Sequence, residues 1–182
     1  PAAKDKLLEM YNKRDPRMMA SIIMPYTTYK GWYSNAPMDT EYVITEKSGQ
    51  TNEKNGFIRV NGNYEMYLWR KFVAEYDMNG AINNREDTPI NFPLIRYADV
   101  LLMYAECLIE TDGDKQLAAD LINQVRYRAF VTTSLTDSYA KYRKFNLKES
   151  DRVTEDTFNA KYKVKASDDL RAAVRHERRI EL

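Results

Sequence analysis

The sequence has little of what most catalytic sites are built from. It contains one cysteine and one histidine in 182 residues. A lone Cys107 allows no intrachain disulfide, and with one imidazole no His/Cys metal cluster can be assembled. Cys107 falls in a helical pattern amid apolar residues and His176 in Arg175-His176-Glu177-Arg178-Arg179, a poor setting for a Cys–His dyad. The six glycines form neither a Gly-x-Ser-x-Gly elbow nor a phosphate-binding loop. No apolar run approaches the ~20 residues a membrane-spanning helix needs. Charge of one sign is missing too. Lys and Arg number 28 against 27 Asp and Glu, so no global field gathers polyanions. Residues 126–182 carry 14 basic and 9 acidic side chains. They are interspersed without a dense run, which predicts a solvated face rather than a nucleic-acid surface. The chain opens on Pro1 without a charged and apolar leader, so any targeting signal is expected to have been removed or to lie outside this sequence.

What is present describes a globular chain, 43% hydrophobic and 30% charged, with about one domain's worth of residues. Tyrosine is heavily used: 14 of the 22 aromatics, beside six Phe and two Trp. A tyrosine ring serves a core with a polar exit or a surface that stacks on ligand.

The pattern changes near Asn91. Before it, residues 2–12 predict a short helix ended by Arg14-Asp15-Pro16, and residues 18–24 a strand closed by Pro25. Residues 26–37 carry Tyr26, Tyr29, Trp32 and Tyr33 among Gly, Pro, Ser and Asn, the composition of a loop. Residues 57–60, Asn61-Gly62 and 63–72 predict a β-hairpin on a type I′ turn. Residues 77–92 read as a loop. From Pro93 the period becomes 3.6: Leu94, Ile95, Ala98, Leu101, Leu102, Ala105, Leu108 and Ile109 make a helical stripe. Gly113 is the expected C-cap. Asp114 is the expected N-cap of a second helix with Leu117, Ala118, Leu121, Ile122 and Val125. So short a connection predicts an antiparallel αα-hairpin. Residues 131–166 read as a long polar excursion. Ser167 or Asp168 is then expected to cap a third helix bearing Leu170, Ala173, Val174 and Ile180. That helix has no stop signal, which fits either a terminal helix fraying to its end or truncation of a longer protein. Asp112-Gly113-Asp114 lacks the spaced ligands of a calcium loop, and Glu86-Asp87 and Asp168-Asp169 fit solvated or helix-end charges better than glycosidase acids.

The αα-hairpin resembles a tetratricopeptide unit: Gly113-Asp114 at the turn, then Ala118 at the expected offset, with Leu102, Ala105, Ile109, Ile122 and Val125 at apolar places. It departs in Glu106, where a small residue is usual, and in lacking a closing proline. One such repeat does not bury itself, so partner surfaces are implied.

Three ordered blocks resemble the SusD/RagB family of Bacteroidetes outer-membrane nutrient-binding lipoproteins. They are Arg14-Asp15-Pro16-Arg17-Met18; Pro93-Leu94-Ile95-Arg96-Tyr97-Ala98-Asp99-Val100-Leu101-Leu102-Met103-Tyr104-Ala105-Glu106, running on through Ile122-Asn123-Gln124-Val125-Arg126-Tyr127-Arg128-Ala129; and Glu177-Arg178-Arg179-Ile180-Glu181-Leu182. Tyr67-Leu68-Trp69-Arg70-Lys71-Phe72 is similar to the family's aromatic-Arg-Lys segment. The resemblance covers most of the chain. It implies a mainly α fold, a tetratricopeptide-like helical hairpin plus further helices, with a loop-rich region and a short β-hairpin. Residues 1–182 then form a fragment of one such domain: 1–92 loop-rich, 93–130 the helical hairpin, 131–166 the excursion, 167–182 a truncated helix. The resemblance also implies no catalysis, no cofactor and no metal. It implies instead a lipid-anchored surface protein that captures glycans or other nutrients and covers a TonB-dependent SusC-like transporter. The family's lipobox cysteine, its amino-terminal half and its Phe-Glu-Gly-type continuation are not in this sequence.

Two groups of residues follow as candidates. Arg96 near a helix N-terminus opposes the macrodipole and needs an acid nearby. Arg96 and Asp99 are therefore expected to exchange structural ion pairs with Glu177, Arg178 or Glu181. For ligand, Trp32 with Tyr29 and Tyr33 is favoured, since sugar C–H patches stack on aromatic faces and loops carry binding residues. Tyr97, Tyr104 and Trp69 are expected in the core. The alternative function is a helical-repeat module for a protein partner.

Overall fold

A computed structural model describes residues 2–24, 28–33, 36–44, 57–60, 68–72, 91–131 and 153–182. The chain divides into two compact units. The first comprises Pro1–Arg14, Met18–Phe92 and Leu135–Lys148, the second Asp15–Arg17, Pro93–Ser134 and Glu149–Leu182.

In the first unit, α1 (Ala2–Asn12) forms where the helix was expected. Its Tyr11 is buried with Met24, and Leu7, Leu8, Met18 and Ile22 pack around them. The strand expected over residues 18–24 is instead a short helix, α2 (Arg17–Ser21), followed by the two-residue β1 (Ile22–Ile23). Only the β-branched Ile pair is extended, while Met18 and Ala20 suit a helix better. The expected loop of aromatics is also corrected. β2 (Thr28–Tyr33) and β3 (Ala36–Ile44) form an antiparallel hairpin, with Trp32 opposite Pro37 and Tyr29 opposite Thr40. Thr and the aromatic residues favour a pleated surface. Pro37 is tolerated because it lies where β3 has β2 as its only described neighbour.

Of the hairpin expected at 57–72, residues 61–67 lie outside the described residues. β4 (Phe57–Val60) runs parallel to β3 in a sheet ordered β2-β3-β4. β5 (Leu68–Trp69) pairs antiparallel with β1, and Ser21 carbonyl accepts the Arg70 amide at 2.9 Å. The Asn61-Gly62 turn and the loop at 77–90 lie outside the described residues.

The second unit is helical. α3 (Tyr97–Glu110) and α4 (Lys115–Phe130) make the αα-hairpin. Ala98, Leu102 and Ala105 of α3 meet Ala118, Ala119, Leu121, Ile122 and Val125 of α4 in one buried core. Its alanines allow close helix approach, and its large members exclude water from the seam. The turn differs in detail from expectation. Asp112 takes the left-handed conformation (φ 52°), and Gly113 follows it and donates its amide to the Leu108 carbonyl at 2.8 Å. That is a Schellman closure with Asp112, not glycine, at the left-handed position. Asp114 caps α4 by accepting the Gln116 and Leu117 amides at 2.9 and 3.0 Å.

α3 begins at Tyr97 rather than at Pro93, which leaves Leu94 and Ile95 exposed ahead of it. Within the expected excursion, Thr154 caps α5 (Glu155–Lys161), whose Phe158 is buried. Residues 132–152 lie outside the described residues. α6 (Leu170–Glu181) is capped by Asp169, one residue later than expected, while Asp168 accepts the Lys165 amide. Leu170 and Val174 join the core of α3 and α4. A buried Asn123 on α4 exchanges two 2.8 Å hydrogen bonds with the backbone of Val164, fastening the approach to α6.

Candidate functional site

The inner face of α6 decides what its charged residues do. Leu170, Val174, Glu177 and Glu181 are its buried residues, spaced i, i+4, i+7 and i+11. Two glutamates therefore continue an apolar stripe into the interior, where an ionised carboxylate requires paired cations. Arginines from three other segments supply them. Glu177, with no exposed surface, accepts from Arg17 and, at 3.1 Å, from Arg126 on α4. Glu181 accepts from Arg17 at 3.1 Å, Arg96 at 2.8 Å and Arg128 at 2.5 Å. Arg96 also donates to the Glu181 carbonyl at 2.5 Å. Asp15 grips Arg17 from the other side through two hydrogen bonds of 2.9 and 2.7 Å. Arg126 donates a further bond to the Tyr162 carbonyl at 3.0 Å.

Arg178 turns toward α3. Its Nη1 stands 3.1 Å from Asp99 Oδ1 and its Nε 3.8 Å from Glu106. Neither Asp99 Oδ1 nor Arg178 Nη1 has a hydrogen-bond partner, so theirs is a charge contact without hydrogen-bond alignment. Arg96, Asp99, Glu177, Arg178 and Glu181 thus lie in one cluster. Within it Arg96 pairs with Glu181 and Asp99 with Arg178, while Glu177 takes Arg17 and Arg126. Arg17, Arg126 and Arg128 were not singled out in the sequence, although Arg17 sits in the first block and the other two in the second. The available signal was the placement of Glu177 and Glu181 in register with Leu170 and Val174.

Asp15, Asp99, Glu106, Glu177 and Glu181 face Arg17, Arg96, Arg126, Arg128 and Arg178, so five acids meet five arginines and no charge is left over. Burial alone would raise the Glu181 carboxyl. Hydrogen bonds from Arg128 and Arg96, the Arg128 charge and a hydrogen bond from Arg17 outweigh it, and hold the group below its ordinary value. Asp15 is likewise lowered against burial by hydrogen bonds and charge from Arg17. Burial would lower Arg17, but its bonds to Asp15 and Glu177 raise it. A general acid needs a raised carboxyl and access to substrate; Glu181 is lowered and Glu177 is sealed from solvent. The cluster is built to join segments rather than to transfer protons. The expected solvated face has two exceptions among the described residues, Arg126 and Arg178, which are partly buried against acids, whereas Arg128, Lys161, Lys163, Lys165, Arg171, Arg175 and Arg179 are exposed.

The other acidic sequences resolve as structural. Asp114 and Asp169 cap helices and Asp168 closes a turn. Glu86-Asp87 lies outside the described residues. Among the described residues no group of three or more His, Cys, Asp or Glu is placed to hold a metal ion, and no helix is long and apolar enough to cross a membrane. Cys107 is exposed on α3, and His176 is exposed with Nδ1 3.4 Å from Arg179.

The aromatic residues divide differently from expectation. Trp69 is 72% exposed, Tyr97 74% and Tyr104 49%, so none of the three is a core residue. The α3 face that meets α4 is the Ala98-Leu102-Ala105 row, and Tyr97 and Tyr104 stand one residue off it. Large apolar side chains are not obliged to be inside. Tyr29, Trp32 and Tyr33 belong to β2, whose backbone is described; their side chains lie outside the described residues.

No curated protein and no solved structure matches the chain. The model of the SusD family matches residues 2–182. This span takes in the sheet, the αα-hairpin and every member of the arginine–carboxylate cluster, and membership supports a general role in binding nutrients. The chain belongs to the SusD family.

Proposed function

We propose that the chain is part of a non-catalytic, cell-surface nutrient-binding protein whose ligand is a glycan. It captures that glycan and passes it to a TonB-dependent, SusC-like transporter in the outer membrane, to which a lipid anchor outside this sequence holds it. The observation that carries this is the family match over residues 2–182. It is supported by the buried arginine–carboxylate cluster, whose charges are spent on one another rather than presented to a substrate. Trp32 is the leading ligand residue, with Tyr29 and Tyr33 in support from the alternate row of the same strand. Aromatic rings stack on sugar C–H faces while their polar atoms meet hydroxyls, and β2 holds the three within one short strand.

Glycan-array binding by the full-length protein, with Trp32→Ala beside it, tests this. Saturable binding that Trp32→Ala abolishes is the expected result. Binding that survives Trp32→Ala, Tyr29→Ala and Tyr33→Ala removes the site, and turnover of a bound oligosaccharide removes the non-catalytic role. The second reading, a helical-repeat module for a protein partner, draws on the exposed row Tyr97, Val100, Met103 and Tyr104 along α3. It predicts a protein complex disrupted by Tyr104→Glu and no glycan binding at all.

A further inference from the structure

Asp15–Arg17 belongs to the second unit, yet Arg14 before it and Met18 after it belong to the first. The helical unit therefore holds these three residues much as it would hold a docked peptide. They are already shaped for it. Asp15 Oδ1 accepts the Arg17 amide at 2.9 Å, and the ring of Pro16 fixes the backbone angle between the two. The same carboxylate takes one edge of the guanidinium, Oδ1 from Nε at 2.9 Å and Oδ2 from Nη2 at 2.7 Å. Nη1 is left for α6, and it donates to Glu177 and, at 3.1 Å, to Glu181. Four of the five N–H donors of a guanidinium are thereby used, all in one plane. A lysine ammonium is a point charge with its donors on a single atom, and it cannot serve Asp15 and the two glutamates in this way.

The receiving carboxylates are buried. The Glu177 and Glu181 side chains are 0% and 4% exposed, and that of Arg17 is 11% exposed. Arg126 also binds Glu177, and Arg96 and Arg128 also bind Glu181, so both acids stay fixed whether or not Arg17 is present. The cluster is balanced with Arg17 and carries one excess negative charge without it. We infer that Glu177 and Glu181, together with Asp15, form a guanidinium-recognition site in the second unit, and that Arg17 is its internal ligand, selected as arginine and not as a positive charge. A free guanidinium ion therefore fills the site when the Arg17 side chain is cut back. This does not depend on which ligand the protein carries.

Urea unfolding of the full-length protein, of Arg17→Ala and of Arg17→Lys tests this. Each is measured at equal ionic strength with ~20 mM guanidinium chloride, methylammonium chloride or sodium chloride, concentrations too low to denature. The parent is expected to respond alike to all three salts. Both variants are expected to unfold at lower urea than the parent. Guanidinium alone should restore Arg17→Ala, saturably, and raise its folded-to-unfolded ratio about 5-fold for a site with a Kd of about 5 mM. Adding Glu177→Gln to Arg17→Ala should abolish that recovery. If Arg17→Ala does not fold in buffer, a cooperative transition regained on refolding with guanidinium supports the site, and none regained overturns it. Recovery no greater with guanidinium than with methylammonium or sodium also overturns it, as does recovery that survives Glu177→Gln. An Arg17→Lys variant as stable as the parent shows that charge alone suffices, and overturns the selection for arginine.

Discussion

Glu177 is the residue on which the helical unit most depends. It exposes no surface and is met by Arg17 and Arg126. Removing it takes from Arg126 its described acid and from Arg17 one of three, so Glu177→Ala should cost roughly 3–5 kcal/mol in a urea titration. Replacing the whole set by apolar residues of similar volume should cost far less, because the desolvation cost of the charges disappears with them. Glu181 and Asp15 make the same cluster sensitive to acid. Both carboxyls are lowered in the folded state. Their stabilisation is therefore complete above the unfolded values, ordinarily about 4.3 for Glu and 3.9 for Asp. It is lost as pH falls through the lowered folded values, because the unfolded chain then binds more protons than the folded one. Unfolding midpoints measured from pH 6 downward should fall across this acid range, and Glu181→Gln should flatten the fall while lowering stability at neutral pH.

The pairing of Arg96 was legible because a cation at a helix N-terminus asks for an acid. The part taken by Arg17 was not, since it comes from residues far away in the chain and no local pattern announces so distant a partner.

At the scale of elements, the second unit was easier to read than the first. The stripe on α3 and α4 has a single period, and Asp114 caps α4 where Asp precedes the first apolar residue. Asp114→Ala should lower stability by about 1 kcal/mol, read by thermal or urea unfolding. Leu102→Ala, at a position with no exposed surface between the two helices, should lower it by about 2–5 kcal/mol. Tyr97 and Tyr104 misled because tyrosine fits a core and a surface equally well by composition. Only the packing partner decides, and α4 packs on the neighbouring row. The strands were harder still. Gly31, Pro37 and the Ser34-Asn35 pair mark a loop by composition, yet the backbone on either side of that pair is a hairpin. The residues on either side take their conformation from cross-strand pairing that no local propensity encodes. The same holds for β4, whose described partner is the earlier β3, in parallel.

At the scale of the helical unit as a whole, charges placed against the helix dipoles are answered across helices. Arg96 at the start of α3 meets Glu181 at the end of α6, and Glu110 at the end of α3 meets Arg171 at the start of α6 through bonds of 2.7 and 2.8 Å. Each charge is unfavourable on its own helix, and each faces its opposite on the other. The two pairs fix α3 and α6 antiparallel. The Glu110–Arg171 pair is solvent-exposed and contributes little, whereas the Arg96–Glu181 pair sits inside the cluster. In this SusD-family chain the three sequence blocks thus supply a scaffold in their charged residues, and the binding role is the one proposed for β2.

The claim that these charges are scaffold is tested most directly by a double-mutant cycle on Arg96→Ala and Glu181→Gln, followed by urea unfolding. The account predicts a coupling energy within about 0.5–3 kcal/mol, with each single variant less stable than the parent. Additive effects, with coupling indistinguishable from zero, would contradict it.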